Sequence, residues 1–116
     1  MNIQIYVSKK NFDMQKAERF FKERRIPYQL VDVKRHPPGN RELALFARQI
    51  GAKELVDRED KKAKEHTVCY MDSEAMILEE LAQNPQFLRS PLVRNGNQVT
   101  VGLQEDTWAA WLKQEE

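Results

Sequence analysis

Residues 2 to 33 limit the possible folds more than any other part of the chain, because they hold two short β-type runs separated by one amphipathic helix. In Asn2-Ile3-Gln4-Ile5-Tyr6-Val7, polar and apolar side chains alternate, and the apolar ones are β-branched or aromatic. That two-residue period is the signature of a strand. Ser8-Lys9-Lys10-Asn11-Phe12 follows as a loop, and Asp13 is placed to cap the next helix by accepting a bond from a free amide of its first turn. Ala17, Phe20, Phe21 and the more distant Ile26 give this helix an apolar side, with Lys16, Glu18, Arg19, Lys22, Glu23, Arg24 and Arg25 on the wet one. Pro27 ends it. Tyr28 to Val33 forms a second apolar run, and Leu30, Val31 and Val33 suit a buried strand. Strand, helix and strand in this order predict a right-handed crossover, which sets the two strands parallel in one sheet.

The remaining chain supplies helices and then a hairpin. His36-Pro37-Pro38-Gly39-Asn40 marks a loop, and Arg41 to Gln49 is a helix carrying Leu43, Leu45, Phe46 and Ala47, stopped by Gly51. Glu54 to Lys64 is mostly charged, with Leu55 and Val56 as its apolar pair, which predicts short helical turns facing solvent. Ser73 caps a helix through Gln83 that buries Ile77, Leu78 and Leu81 before Asn84-Pro85 stops it. Leu92-Val93-Arg94 and Gln98-Val99-Thr100-Val101 flank Asn95-Gly96-Asn97, a strong hairpin signal. Thr107 to Lys113 is a last helix, and Trp108, Trp111 and Leu112 can dock it onto the sheet. The expected fold class is α/β: a βαβ unit, a helical insert over about residues 38 to 84, then ββα, giving a mixed four-stranded sheet flanked by helices. With 116 residues, one domain spanning 1–116 is expected.

Composition narrows the function classes. At 41% hydrophobic residues and a net charge of +1, the chain can bury a core and exerts no global pull on nucleic acid. Arg19, Lys22, Arg24, Arg25, Lys34 and Arg35 could form a basic face, but Glu18, Glu23 and Asp32 interrupt it, so direct nucleic-acid binding is not expected. No apolar run approaches bilayer length and the N-terminus has no signal-peptide pattern, so a soluble, cytoplasmic protein is expected. The single cysteine, Cys69, cannot form an internal disulfide, in keeping with a reducing compartment. His36 and His66 are thirty residues apart without a clustered cysteine; both are expected at the surface, and no metal site is expected.

Several stretches, in order, resemble the arsenate reductase ArsC and Spx family, a branch of the thioredoxin-like fold: Ile3-Gln4-Ile5-Tyr6-Val7, the loop Ser8-Lys9-Lys10, Asp13-Met14-Gln15-Lys16-Ala17, Arg25-Ile26-Pro27-Tyr28, and the turn and helix from Pro37-Pro38. The closing stretch Asn84-Pro85-Gln86-Phe87-Leu88-Arg89-Ser90-Pro91-Leu92-Val93, with its hairpin ending at Gly102, extends the resemblance to nearly the whole chain. It implies a redox ancestry in which a cysteine in the first loop attacks, its thiolate favoured by the amides at the start of the first helix. The matching position here is Asn11, which can hydrogen-bond an anion but cannot exchange with a disulfide. The family's arginines depart too. The resemblance implies an arginine directly before the late proline, where this chain has Ser90-Pro91 with Arg89 one place earlier; Gln15 stands where an arginine is expected in the first helical turn, Leu103 where another follows the late hairpin, and Arg58 is the mid-chain stand-in. The resemblance further implies that Pro91 is cis and shapes the pocket.

The candidate pocket is therefore Ser8, Lys9, Lys10, Asn11, Phe12, Gln15, Arg58, Arg89, Ser90 and Pro91, without a catalytic residue. Lys9, Lys10 and the helix amides could hold a small anion, with Ser8 as a further donor. The expected role is a partner-binding or regulatory protein without arsenate reduction and without a cofactor. By analogy with Spx the partner would be RNA polymerase, and the charged segment Lys53 to Glu65 offers polar contacts to a protein. The alternative is a glutathione- or thioredoxin-linked oxidoreductase working through Cys69 or on another substrate.

Overall fold

The computed structural model describes residues 1–115. It contains β1 (Ile3–Val7), α1 (Phe12–Glu23), β2 (Tyr28–Asp32), α2 (Asn40–Ile50), α3 (Ala52–Leu55), α4 (Lys61–Glu65), a 3-10 turn at Thr67–Tyr70, α5 (Glu74–Gln83), a 3-10 turn at Pro85–Phe87, β3 (Leu92–Asn95), β4 (Gln98–Val101) and α6 (Glu105–Glu115). The strands form one mixed sheet in the order β2-β1-β3-β4, with β1 and β2 parallel and β1, β3 and β4 antiparallel in turn. This is the mixed four-stranded sheet expected from the order of the segments, in the thioredoxin-like arrangement that the resemblance implied. Gly96, with φ 61, supplies the left-handed turn residue that the hairpin between β3 and β4 requires.

Alternation along the strands sends side chains to two separate interiors. On one face, Ile3 and Ile5 of β1 and Val93 of β3 pack with Ala17, Phe20 and Phe21 of α1 and with Trp108 and Trp111 of α6. Trp108 is fully buried, meets Phe20 and Phe21 with ring centroids 5.4 and 5.3 Å away, and donates its indole N–H to Thr100 Oγ1 at 2.9 Å. Both tryptophans thus dock α6 onto the sheet, as their spacing suggested. On the other face, Tyr6, Leu92 and Val99 pack against Leu43 and Phe46 of α2, Leu55 of α3, and Ile77 and Leu81 of α5.

Four local expectations are corrected. Asn11, not Asp13, caps α1: its backbone is extended, and its side-chain oxygen accepts the Met14 amide at 2.8 Å, while Asp13 lies inside the first turn. The helix ends at Glu23, before Pro27, because Arg25 adopts φ 56 and the amides of Arg25 and Ile26 bond back to the carbonyls of Lys22 and Phe21 at 3.0 and 2.9 Å, a Schellman closure. The second strand is not buried. It is the sheet edge, and Leu30 is 47% exposed, although Val33 just beyond it is buried. The charged stretch does form helical turns, but it does not simply face solvent: Leu55, Val56 and Ala63 are buried, and Val56 bridges to Leu88. Each short helix offers too few apolar residues for a periodic signal.

The two sheet edges are finished differently. Beyond β4, the carboxamide of Gln49 on α2 accepts the Val99 amide at 2.8 Å through Oε1 and donates through Nε2 to the Asn97 carbonyl, so one side chain imitates a paired strand. No strand pairs with the outer side of β2 among the described residues. Among those residues, too, no helix is long and apolar enough to cross a membrane.

Candidate functional site

The loop after β1 and the segment before β3 meet at the C-terminal end of β1, joined by three hydrogen bonds. Ser8 is buried and its hydroxyl donates to the Leu88 carbonyl at 2.6 Å. The Ser90 hydroxyl donates to the Lys9 carbonyl at 2.9 Å, and Asn11 Nδ2 donates to the Ser90 carbonyl at 2.8 Å. The Ser90-Pro91 peptide bond is cis, as the resemblance implied. Asn11 therefore uses both ends of its carboxamide: the oxygen holds the start of α1, and the nitrogen holds the proline loop.

Lys9 turns away from this seam toward the insert. Its ammonium lies 2.5 Å from Asp57 Oδ2 and 3.5 Å from Asp60 Oδ2. The contact with Asp57 raises the Lys9 pKa above the ordinary lysine value, against the opposing effect of burial. Asp60 is held below the usual carboxylate range, first by the Ala63 amide that it accepts as the cap of α4 and then, against burial, by Lys9. Asp57 is only 7% exposed, donates its own amide to the Phe87 carbonyl and accepts the Glu59 amide at 3.1 Å. Sequence reasoning missed Asp57. Its local signal is the Asx turn in Asp57-Arg58-Glu59-Asp60, but nothing local shows that the turn faces Lys9, 48 positions earlier.

The structure thus joins Ser8, Lys9, Asn11, Ser90 and Pro91 and disperses the other candidates. Lys10, Phe12 and Gln15 are exposed, Phe12 at 79%. Arg58 and Arg89 line a neighbouring cleft of about 280 Å³ together with Glu54, Asp57 and Glu59. Arg89 Nη1 is 3.7 Å from Glu54 Oε2, and Arg58 Nη1 donates to the Cys69 carbonyl at 2.8 Å. This cleft has balanced charge: Lys53, Arg58 and Arg89 face three carboxylates. Leu103, which the resemblance set at the place of a family arginine, packs against the aromatic interior of α1 and α6.

Cys69 belongs to the insert. It sits half-buried on the turn Thr67–Tyr70 against the α2–α5 interior, and its thiol donates to the Ala63 carbonyl at 3.0 Å. His66 is a correction to its expected surface position. It is half-buried and stacks on Phe87 at 5.0 Å; its Nδ1 accepts the Val68 amide, and its Nε2 lies 3.7 Å from Glu80 Oε2. The basic face on α1 is partly engaged in packing, with the Arg24 guanidinium 3.7 Å from the centre of the Phe20 ring. No cluster of three metal-ligating side chains occurs among the described residues.

Comparisons with known proteins agree with this fold. The YffB protein superposes with a TM-score of 0.82 at 21% identity, over 93% of this chain and 96% of that one. An arsenate reductase from Vibrio cholerae gives a TM-score of 0.79 at 18% identity, over 95% and 97%. An arsenate reductase related protein from Brucella melitensis gives 0.70 at 21% identity, over 97% and 96%. At such identities the likeness shows the fold alone. A search of curated proteins finds no match. The single cysteine of this chain, Cys69, lies outside the first loop, and the ArsC family model matches residues 6–111, nearly the full length, so the chain belongs to the ArsC family.

Proposed function

We propose that this protein is a non-catalytic member of the ArsC family that acts by binding a partner. The observation that carries the reading is the double commitment of Asn11, whose carboxamide caps α1 and ties down the Ser90 carbonyl. Reduction of arsenate by a thiol requires a thiolate that attacks, cationic donors for the oxyanion and an open approach. At the family's nucleophile position stands a carboxamide, which has no electron pair suited to that attack. The nearby ammonium of Lys9 is neutralised by Asp57 and Asp60, and the Ser8 hydroxyl is already donated to Leu88. These contacts also weigh against a small-anion nest at the loop. The oxidoreductase alternative through Cys69 finds little support, because that thiol is directed at the Ala63 carbonyl, and the contact from Arg58 is to the Cys69 carbonyl.

The test is arsenate reduction by the purified protein, coupled separately to glutathione with glutaredoxin and to thioredoxin, with C69S and N11C in parallel. No turnover by the wild type or by C69S is expected. Turnover that disappears in C69S refutes the proposal and moves the chemistry to Cys69. In N11C the new thiol would sit at the α1 N-cap, where the first-turn amides lower its pKa below the ordinary value of about 8.5. Activity gained only there identifies a pocket whose nucleophile was lost.

A further inference from the structure

We infer that the open edge of the sheet at β2 is a docking site for an extended acidic segment of a protein partner, added to the sheet as a fifth strand. The inference rests on the partner-binding reading and gives that partner a chemistry. Its first support is the contrast between the two edges. Gln49 closes the β4 edge with a strand-like pair of hydrogen bonds, whereas β2 is unpaired on its outer side among the described residues. An exposed strand edge presents unpaired amides and carbonyls that another extended chain can satisfy. The strand also lacks the usual protection, for Tyr28-Gln29-Leu30-Val31-Asp32 contains no lysine, proline or glycine, and Leu30 is 47% exposed at its centre.

The second support is what lies beside that edge. A groove of about 330 Å³ runs from β2 to the loop after β1, with Val7, Met14, Leu30 and Val31 as its apolar lining. Lys10 and Lys34 rim it, with Asp32 as its carboxylate. A second cleft of about 400 Å³ shares Ser8, Lys9 and Lys34 with the first and adds Asp60, Lys61, Lys62, Gln86 and Phe87. Lys9 is consumed by Asp57 and Asp60, but Lys10, Lys34, Lys61 and Lys62 have no carboxylate partner among the described residues. The surface is thus a strand edge with an apolar trough and an excess of unpaired cations. A strand that alternates acidic and apolar side chains fits it, with acids toward the lysines and apolar groups in the trough.

The probe is a fluorescent eight-residue peptide alternating glutamate with valine or leucine, titrated by anisotropy into the full-length protein. Three control peptides accompany it: one with lysine in place of each glutamate, one N-methylated at alternate amides, and one scrambled. The acidic peptide is expected to bind, and the other three to bind at least about tenfold more weakly. L30D and the double variant K10E/K34E change exposed residues, so the fold is retained, and each should weaken binding about tenfold. Slower amide exchange of β2 in the complex locates the contact. Absence of binding, equal binding of the N-methylated or lysine peptide, or binding unaffected by either variant overturns the inference. So does a dimer at sedimentation equilibrium that L30D dissociates, or equal competition by a single-stranded oligonucleotide in place of the peptide. The arsenate assay is independent of every one of these outcomes: turnover would refute the non-catalytic reading whatever the peptide does, and a silent edge with no turnover would refute this inference alone.

Discussion

Replacing Asn11 with alanine tests whether that residue is now a structural clasp. Two contacts vanish together: the cap to the Met14 amide and the bond to the Ser90 carbonyl, each 2.8 Å long. Loss of an N-cap costs about 1 kcal/mol. Loss of an amide donor to a carbonyl on a buried residue costs about 1 kcal/mol more, because that oxygen is left without its partner. N11A should therefore lose about 2 kcal/mol in urea unfolding and about 8 °C in Tm. N11S retains a capping oxygen but is too short to reach Ser90, so it should lose about half as much. N11D also retains the cap, yet it sets a carboxylate oxygen against the Ser90 carbonyl and should gain nothing over N11S. An N11A variant within about 0.5 kcal/mol of the wild type, or N11S no more stable than N11A, would refute the clasp.

Three further outcomes follow from the same geometry. Tyr6 donates to Glu42 Oε2 at 2.6 Å, and burial first, then that bond, pushes its pKa up to about 12 from the ordinary 10. Because the folded value is the raised one, its stabilisation is complete below pH 10 and is lost as pH rises through about 12; Y6F should cost about 1 kcal/mol at neutral pH and make urea midpoints fall less steeply across that range, with Tyr28 supplying the remaining slope. Q49A should open the β4 edge and speed exchange of the Val99 amide about tenfold, with other β4 amides little changed, as read by NMR. K9M should leave the buried Asp57 without its cation and destabilise the protein by about 1–2 kcal/mol at neutral pH; since Asp60 is held low in part by Lys9, the deficit measured in urea should shrink as the pH falls below 3.8 and Asp60 protonates.

Much of the architecture is legible in short stretches of sequence. The alternation in residues 2 to 7 and the Asn95-Gly96 turn each specify a local geometry from adjacent residues, so β1 and the hairpin emerge where expected. The position of β2 does not follow from its own residues. Leu30 and Val31 are as apolar as a central strand requires, and only the order β2-β1-β3-β4 shows that they lie at an edge. The helix cap was ambiguous for another reason, since Asn11 and Asp13 are both good caps two residues apart, and the choice is made by Ser90, which takes the other end of the Asn11 carboxamide. The candidate site was legible as far as the first loop and the proline segment. The Lys9–Asp57 pair joins residues 48 positions apart through the insert, and no local pattern encodes it.

The sheet also works as a partition. Ile3, Ile5 and Val93 face the aromatic interior of α1 and α6, while Tyr6, Leu92 and Val99 face the interior built by α2, α3 and α5, so the helical layers on the two sides share the strands' backbone but few side-chain neighbours. Substitutions that lie in different interiors without common partners add in their effects. The insert can therefore drift in sequence, or be rebuilt by design, under the rules of its own packing, without each change needing a compensating one around Trp108. A lineage with this plan can preserve one half as an anchor for folding and use the other as the ground on which new contacts are tried.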